Sequence, residues 1–290
     1  MAMKLLKEKN IILTGASRGL GAATAHAMWN AGANLLLVGR FENTLLGVKN
    51  SLESSTENGQ TIDIMAADLD NPRSAKVIID FANKIWHRVD VLINNAAVVG
   101  PIGKAWETDW QQWESSFRTN LFSPVQLCRE CIPWMKGTGG GKIINISGGG
   151  ATGPRPNFTA YAVAKTALVR FTEILAQEVA ELNIQVNAIA PGMMNTEMTK
   201  AVLNAGEDKA GQKEFYDAMK LTATGEGAIQ KAAALCVFLA SSKSDEVTGK
   251  LLSAIWDPWE NIQEYINDLN STDIYTLRRI VPKDRGKTWG

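Results

Sequence analysis

Short apolar runs alternate with stretches of helical periodicity over the first two-thirds of the chain. The runs at 10–14, 34–38, 61–67, 89–94, 142–147 and 183–190 read as strands. Most are too continuously apolar to leave one face in water, as happens when helices cover both sides of a parallel sheet. Between them, 20–31, 42–54, 71–86, 109–135 and 160–181 carry helix-compatible patterns. Asn71-Pro72 reads as a helix opening, an N-cap followed by proline at the first helical position. Repetition of this kind predicts an α/β architecture: a single domain built on a doubly wound parallel sheet with right-handed crossovers.

After Pro191-Gly192 the pattern changes. Residues 196–223 are polar and helix-compatible, 227–240 form an amphipathic helix, and 249–254 read as a last strand. The tail, 256–290, carries Trp256, Trp259, Tyr265, Leu269, Tyr275 and Leu277. So much apolar surface is expected to pack, on the domain formed by 1–255 or on a neighbouring subunit, covering an active-site mouth.

Thirty basic residues balance thirty acidic ones, so no global field favours nucleic acid or an anionic membrane. The longest apolar run, 232–240, is too short to span a bilayer. The first ten residues lack a secretory apolar segment, and three cysteines make no disulfide framework, so a cytoplasmic setting is expected. Cys128 and Cys131 form one C-x-x-C inside a helical stretch and read as core residues; no metal site is expected.

The first strand runs into Thr14-Gly15-Ala16-Ser17-Arg18-Gly19-Leu20-Gly21, and a helix follows at once. Glycines let a backbone turn tightly and approach a pyrophosphate, while the helix N-terminus offers free N–H groups. Gly15, Ser17 and Gly19 also spell the G-x-S-x-G of a serine hydrolase elbow. That chemistry needs a later histidine, and the only two, His26 and His87, leave the rest of the chain without one. The run 137–142 lacks the first glycine and the Ser/Thr of a triphosphate loop, and reads as a turn.

Tyr161-Ala-Val-Ala-Lys165 opens the helix after the fifth strand, Asn94-Asn95-Ala96-Ala97 ends the fourth, and Pro191-Gly192 ends the sixth. With the T-G-x-x-x-G-x-G turn, these motifs resemble the short-chain dehydrogenase/reductase family, in its single-domain Rossmann-type form, over about residues 8–254. The resemblance implies a cofactor turn at Gly15, Gly19 and Gly21, with Ser17, Arg18 and Leu20 inside it. It implies adenine contacts at Asp68 and Leu69, ribose contact at Asn95, and nicotinamide contacts at Met194 and Thr196. It makes Tyr161 and Lys165 the catalytic pair, also touching the cofactor, and Asn120 the residue that completes a proton relay. A homodimer or homotetramer is implied too.

Tyr161 and Lys165, at i and i+4, share a helix face. An ammonium beside a phenol, together with an oxidised nicotinamide, favours phenolate, so Tyr161 can exchange a proton with a small-molecule carbonyl or alcohol as hydride moves. At the end of strand two, where an acid would hold an NAD ribose, stand Gly39 and Arg40. With Arg18 they point to NADP(H) rather than NAD. The family's serine position falls on Gly148, with Ser147 one residue early. Two readings stand: Ser147 swings into the cleft as a catalytic donor, or it bonds locally and a backbone N–H or a water held by Asn120 serves instead. The expected function is an NADP(H)-dependent oxidoreductase; the alternatives are an NADP-binding sensor with little turnover and an epimerase using transient oxidation.

Overall fold

Alternation within β1 (Asn10–Thr14) sorts its side chains between two cores: Ile11 and Leu13 join one apolar cluster, Ile12 the other. The computed structural model describes residues 4–54, 59–224 and 227–289; residues 1–3 of the expected domain and 290 of the tail lie outside them. Around β1 stand β2 (Asn34–Gly39), β3 (Ile62–Ala66), β4 (Val91–Asn94), β5 (Gly141–Ile146), β6 (Ile184–Ala190) and β7 (Leu251–Ser253). All pair in parallel, in the order β3-β2-β1-β4-β5-β6-β7. The strand order reverses between β1 and β4, the place where open parallel sheets form a crevice beyond their carboxyl ends.

One face of the sheet is covered by α1 (Gly19–Asn30) and α2 (Glu42–Glu53), whose Met28, Trp29, Leu45 and Leu52 share a cluster with Leu235 and Leu239 further along the chain. The other is covered by α3 (Ser74–Ile85) and the helices through Leu127, Cys131 and Leu175. The expected helix 109–135 is three pieces: α4 (Trp110–Phe117), a π turn over Arg118–Phe122, and α5 (Ser123–Gly137). The Ser123 N–H reaches back five residues to the Arg118 carbonyl, and Pro124 has no N–H to continue the ordinary ladder. Then come α6 (Thr159–Glu178), α7 (Glu197–Ala210), α8 (Gln212–Thr224), α9 (Gly227–Ala240) and the short α10 (Ile266–Ser271).

One local expectation is corrected. Asn71-Pro72 does not open α3; the Asn71 side chain accepts from the Arg73 N–H and its carbonyl from the Ser74 N–H, a turn that delays the helix to Ser74. The helix-compatible segment 196–223 forms two helices separated at Gly211 (φ 85°), the first kinked at Gly206 (φ 78°).

The tail lies along the exposed edge of β7. The Leu251 N–H donates to the Tyr275 carbonyl at 2.8 Å, and the buried Lys250 ammonium holds the Thr272 and Ile274 carbonyls at 3.2 and 3.1 Å. The Leu277 N–H donates to Glu173 Oε1 at 2.6 Å. Trp259, Ile262 and Leu269 are buried in the same cluster as α1 and α9. An edge strand is thus covered by the chain itself. No described tail residue lines the main cleft, so the mouth of the chain's own cleft is not what the tail covers. Glu173→Ala leaves the Leu277 N–H without its acceptor. It should cost about 1–3 kcal/mol in urea denaturation, with faster hydrogen exchange at Leu251 and Leu277; unchanged exchange there would contradict this docking.

Candidate active site

The turn after β1 is packed too tightly for side chains. Gly15 (φ 64°) lies so close to the end of β4 that a Cβ would sit 2.7 Å from Ala96 Cα, and one on Gly21 would sit 2.0 Å from the Gly15 carbonyl oxygen. Asn95 ties the two elements by donating to the Thr14 and Gly15 carbonyls at 2.9 and 3.1 Å. The Thr14 hydroxyl accepts from the Asn95 and Ala96 N–H groups and donates to the Ile93 carbonyl. The N-terminus of α1 therefore opens into a cleft of about 610 Å³ at the carboxyl ends of β1, β4 and β5.

Gly15, Ser17, Arg18, Gly19, Leu20, Gly21, Arg40, Asp68, Leu69, Asn95, Ser147, Tyr161, Lys165, Met194 and Thr196 all line this cleft. Gly39, Ser17, Arg18, Arg40 and Thr44 are also in its lining; a Cβ on Gly39 would come 3.1 Å from Leu45 Cδ2 and 3.6 Å from Ser17 Oγ. Arg18 and Arg40 bring two cations to a lining that also holds Asp68 and Glu197. Thr199 fixes the far wall by donating to the Met194 carbonyl at 2.6 Å. A dinucleotide fits this donor set: glycine backbone and a helix N-terminus for the diphosphate, guanidinium groups for a further phosphate.

The fully buried Asn120 amide accepts from the Val98 N–H at 3.1 Å and donates to the Val98 carbonyl at 2.8 Å and Ser116 Oγ at 3.0 Å. Its neighbours Thr119 and Ser115 line the cleft, while Asn120 clamps the segment after β4 from behind.

Tyr161 and Lys165 stand side by side near the start of α6, with the Lys165 nitrogen 5.9 Å from the Tyr161 ring centroid. The Lys165 ammonium donates to the Ile146 carbonyl at 2.7 Å, and burial pulls its pKa down to about 7. Burial pushes the Tyr161 phenol above its ordinary value, and the Arg155 guanidinium, 5.6 Å from the ring centroid, opposes that push. Lys165, the cation expected to favour phenolate, lies at a similar distance, 5.9 Å, so Arg155 is a second cation beside the ring. Arg155 carries no motif, and its partner Glu214 lies 59 residues away, so no signal in the sequence pointed to either.

Gly148 is pressed against the phenol: a Cβ there would lie 2.2 Å from the Tyr161 hydroxyl. Ser147 is buried at the cleft wall, and its hydroxyl has no hydrogen-bond partner. A hydroxyl out of water and unpaired carries a desolvation cost that an incoming polar group can relieve. Cys128 and Cys131 are buried inside α5, and burial raises both thiols, Cys128 to about 12. No cluster of metal-ligating side chains occurs among the described residues.

The profile of the short chain dehydrogenases matches residues 9–207, and the chain belongs to the short-chain dehydrogenase/reductase family of oxidoreductases. It is 31% identical over 244 residues to the 3-oxoacyl-[acyl-carrier-protein] reductase of Salmonella typhimurium, covering 84% of this chain and 94% of that protein. It is 29% identical over 245 residues to dehydrogenase/reductase SDR family member 4 of Caenorhabditis elegans, covering 84% and 92%. Among solved structures it resembles a Beutenbergia cavernae protein described as an NAD(P)-dependent gluconate 5-dehydrogenase, with NADP bound at low occupancy. The TM-score is 0.75 and the identity 28%, over 87% of this chain and 97% of that one.

The buried lysine has a measurable consequence. Its pKa is about 7 in the folded protein against an ordinary 10.5, so between those values the unfolded chain binds the extra proton. Stability contributed at this position therefore rises with pH across that window. Without cofactor, Lys165→Met should stabilise the protein by on the order of 1–4 kcal/mol below neutral pH. The gain should shrink as pH rises toward 10.5. Denaturation at a series of pH values checks it; a pH-independent difference would contradict the burial argument.

Proposed function

We propose that this protein is an NADP(H)-dependent oxidoreductase that interconverts a small carbonyl compound and its alcohol. One observation carries the reading: a single cleft is lined by Arg18 and Arg40, by the glycine turn, and by Tyr161, Lys165 and Ser147. The nicotinamide, when bound, supplies or accepts the hydride. Arg18, Arg40 and Ser17 hold a 2′-phosphate, the backbone from Gly15 to Gly21 takes the diphosphate, and Asp68, Leu69 and Asn95 line the adenosine. Met194 and Thr196 flank the nicotinamide end. Tyr161 gives its proton to the carbonyl oxygen in reduction and takes it back in oxidation. Lys165, near its titration point, holds the ribose and supports the phenol, and Asn120 fixes the wall behind them.

Ser147 supplies the second donor to the substrate oxygen, since its hydroxyl is otherwise unpaired. Gly148 cannot be restored to the family's serine without moving Tyr161, because a Cβ and the phenol oxygen would compete for one place. The substrate is a small carbonyl or alcohol. The free buried cysteines suit a cytoplasmic setting, and the exposed Trp110, Phe122, Val163 and Ile174 on α4, α6 and the π turn suit association as a homodimer or homotetramer. A monomer in light scattering would contradict that assembly.

Calorimetric titration should show NADP bound about tenfold or more tightly than NAD, the loss of one charge-assisted contact being worth about 1.5–3 kcal/mol. Arg40→Asp should reverse the order; equal affinities in the unsubstituted protein would refute the assignment.

In steady-state kinetics on an identified carbonyl, Tyr161→Phe should abolish turnover while leaving NADP affinity intact. Ser147→Ala should slow it by roughly 10²–10³, and Gly148→Ser should slow it too. A harmless Ser147→Ala together with a faster Gly148→Ser would return the donor role to position 148. Tight NADP binding with no turnover on a broad panel of carbonyls and alcohols would favour a sensor.

A further inference from the structure

The start of α7 lines the cleft, and an ion pair ties the next helix, α8, to the loop that leads into Tyr161. Arg155, in the loop between β5 and α6, donates Nε and Nη2 to the two carboxylate oxygens of Glu214 on α8 at 2.9 and 2.8 Å. The two side chains are only 21% and 23% exposed, so water screens this pair less than one at an open surface. The guanidinium carbon also lies 4.2 Å from the Phe158 ring centroid and 5.6 Å from that of Tyr161. Phe158 is fully buried and forms a small separate core with Val202, Ala210 and Ala218 of α7 and α8. Gly206 and Gly211, at φ of 78° and 85°, divide these helices into segments that can pivot, and Gly211 packs against Asn157 of the same loop. One cation thus touches both the fastened helix and the phenol.

We propose that Arg155 is a positioning residue that, by the charge it shares between Glu214 and Tyr161, makes the acid strength of Tyr161 depend on the Glu214 ion pair. With the pair formed, Glu214 neutralises much of the guanidinium and the phenol keeps its proton, the form that reduction requires. Without the carboxylate charge, Arg155 faces Tyr161 unmatched and favours phenolate. The other charged group facing the ring is Lys165 on α6; β5 ends in the uncharged Ser147 and Gly148, and α8 adds Lys213, itself bonded to Asp217 at 2.7 Å. The direction of the two influences on Tyr161, burial upward and Arg155 downward, agrees with this arrangement. The proposal rests on Tyr161 as the acid and base, but its test does not require turnover.

The test is carbon-13 NMR of the full chain labelled at tyrosine Cζ, titrated through the alkaline range, with the Tyr161 signal assigned by its loss in Tyr161→Phe. Glu214→Gln should lower the Tyr161 midpoint by about one pH unit. Arg155→Met should raise it, and Arg155→Lys should restore most of the original value. Signals of Tyr265 and Tyr275, far from the ion pair, report whether each variant folds; if Arg155→Met does not, the Glu214→Gln arm decides alone. A purely structural ion pair would move both variants in the same direction, and that result would overturn the proposal. So would an unmoved midpoint, or a Tyr161 that stays protonated in every variant. If Tyr161→Phe kept its turnover, the functional reading would fail while a divergent pair of titrations would still establish the coupling.

Discussion

The chain of the first turn must pass within van der Waals reach of the end of β4, and everything at the cleft depends on that approach. Side chains at Gly15 or Gly21 would collide with backbone, so the turn can be built only from glycine at these points. Asn95 and Thr14 convert the proximity into hydrogen bonds between β1 and β4. Because the strand order reverses between these strands, the connections leave on opposite faces and a crevice remains between them. The N–H groups of α1 then point into a space whose floor is backbone, suited to a bulky anion that must come close.

The catalytic end uses a second close approach to a different purpose. Gly148 lets the Tyr161 hydroxyl lie directly against the backbone of the loop after β5. The neighbouring Ser147 is left with its hydroxyl buried and unpaired, and Lys165 is carried out of water onto the Ile146 carbonyl. Each of these groups is held at some cost to stability. Strain of this local, polar kind concentrates where binding is to be coupled to chemistry.

The sheet was legible because its strands are apolar on both faces, and the turn after β1 because its glycines answer to backbone geometry that few other residues can adopt. Legibility failed where the deciding partner is distant in sequence or where local signals compete. Asn71-Pro72 carries the marks of a helix start, yet the Asn71 side chain satisfies the Arg73 N–H and makes a turn instead. The π turn at Arg118–Phe122 has no periodicity that separates it from α-helix. The side-chain partners of Asn120, Val98 and Ser116, carry no signal in the sequence. Of the apolar tail cluster expected to be buried, Trp259 and Leu269 are, while Trp256 and Tyr265 stand exposed because the tail is held by its backbone: Lys250 and Glu173, ordinary charged positions in sequence, direct it to the β7 edge. Arg155 and Glu214 are joined only by the fold.

The central claim is that this cleft moves hydride between a nicotinamide and a carbonyl carbon while Tyr161 handles the proton. Incubating the protein with NADPH deuterated at the transferable C4 position and a panel of aldehydes, ketones and keto-sugars tests it directly, by mass spectrometry of the alcohols formed. The account predicts one deuterium on the carbinol carbon of the product, with none incorporated there from deuterated water. Product labelled from solvent instead, or NADPH bound but leaving every carbonyl in the panel unlabelled, would contradict it.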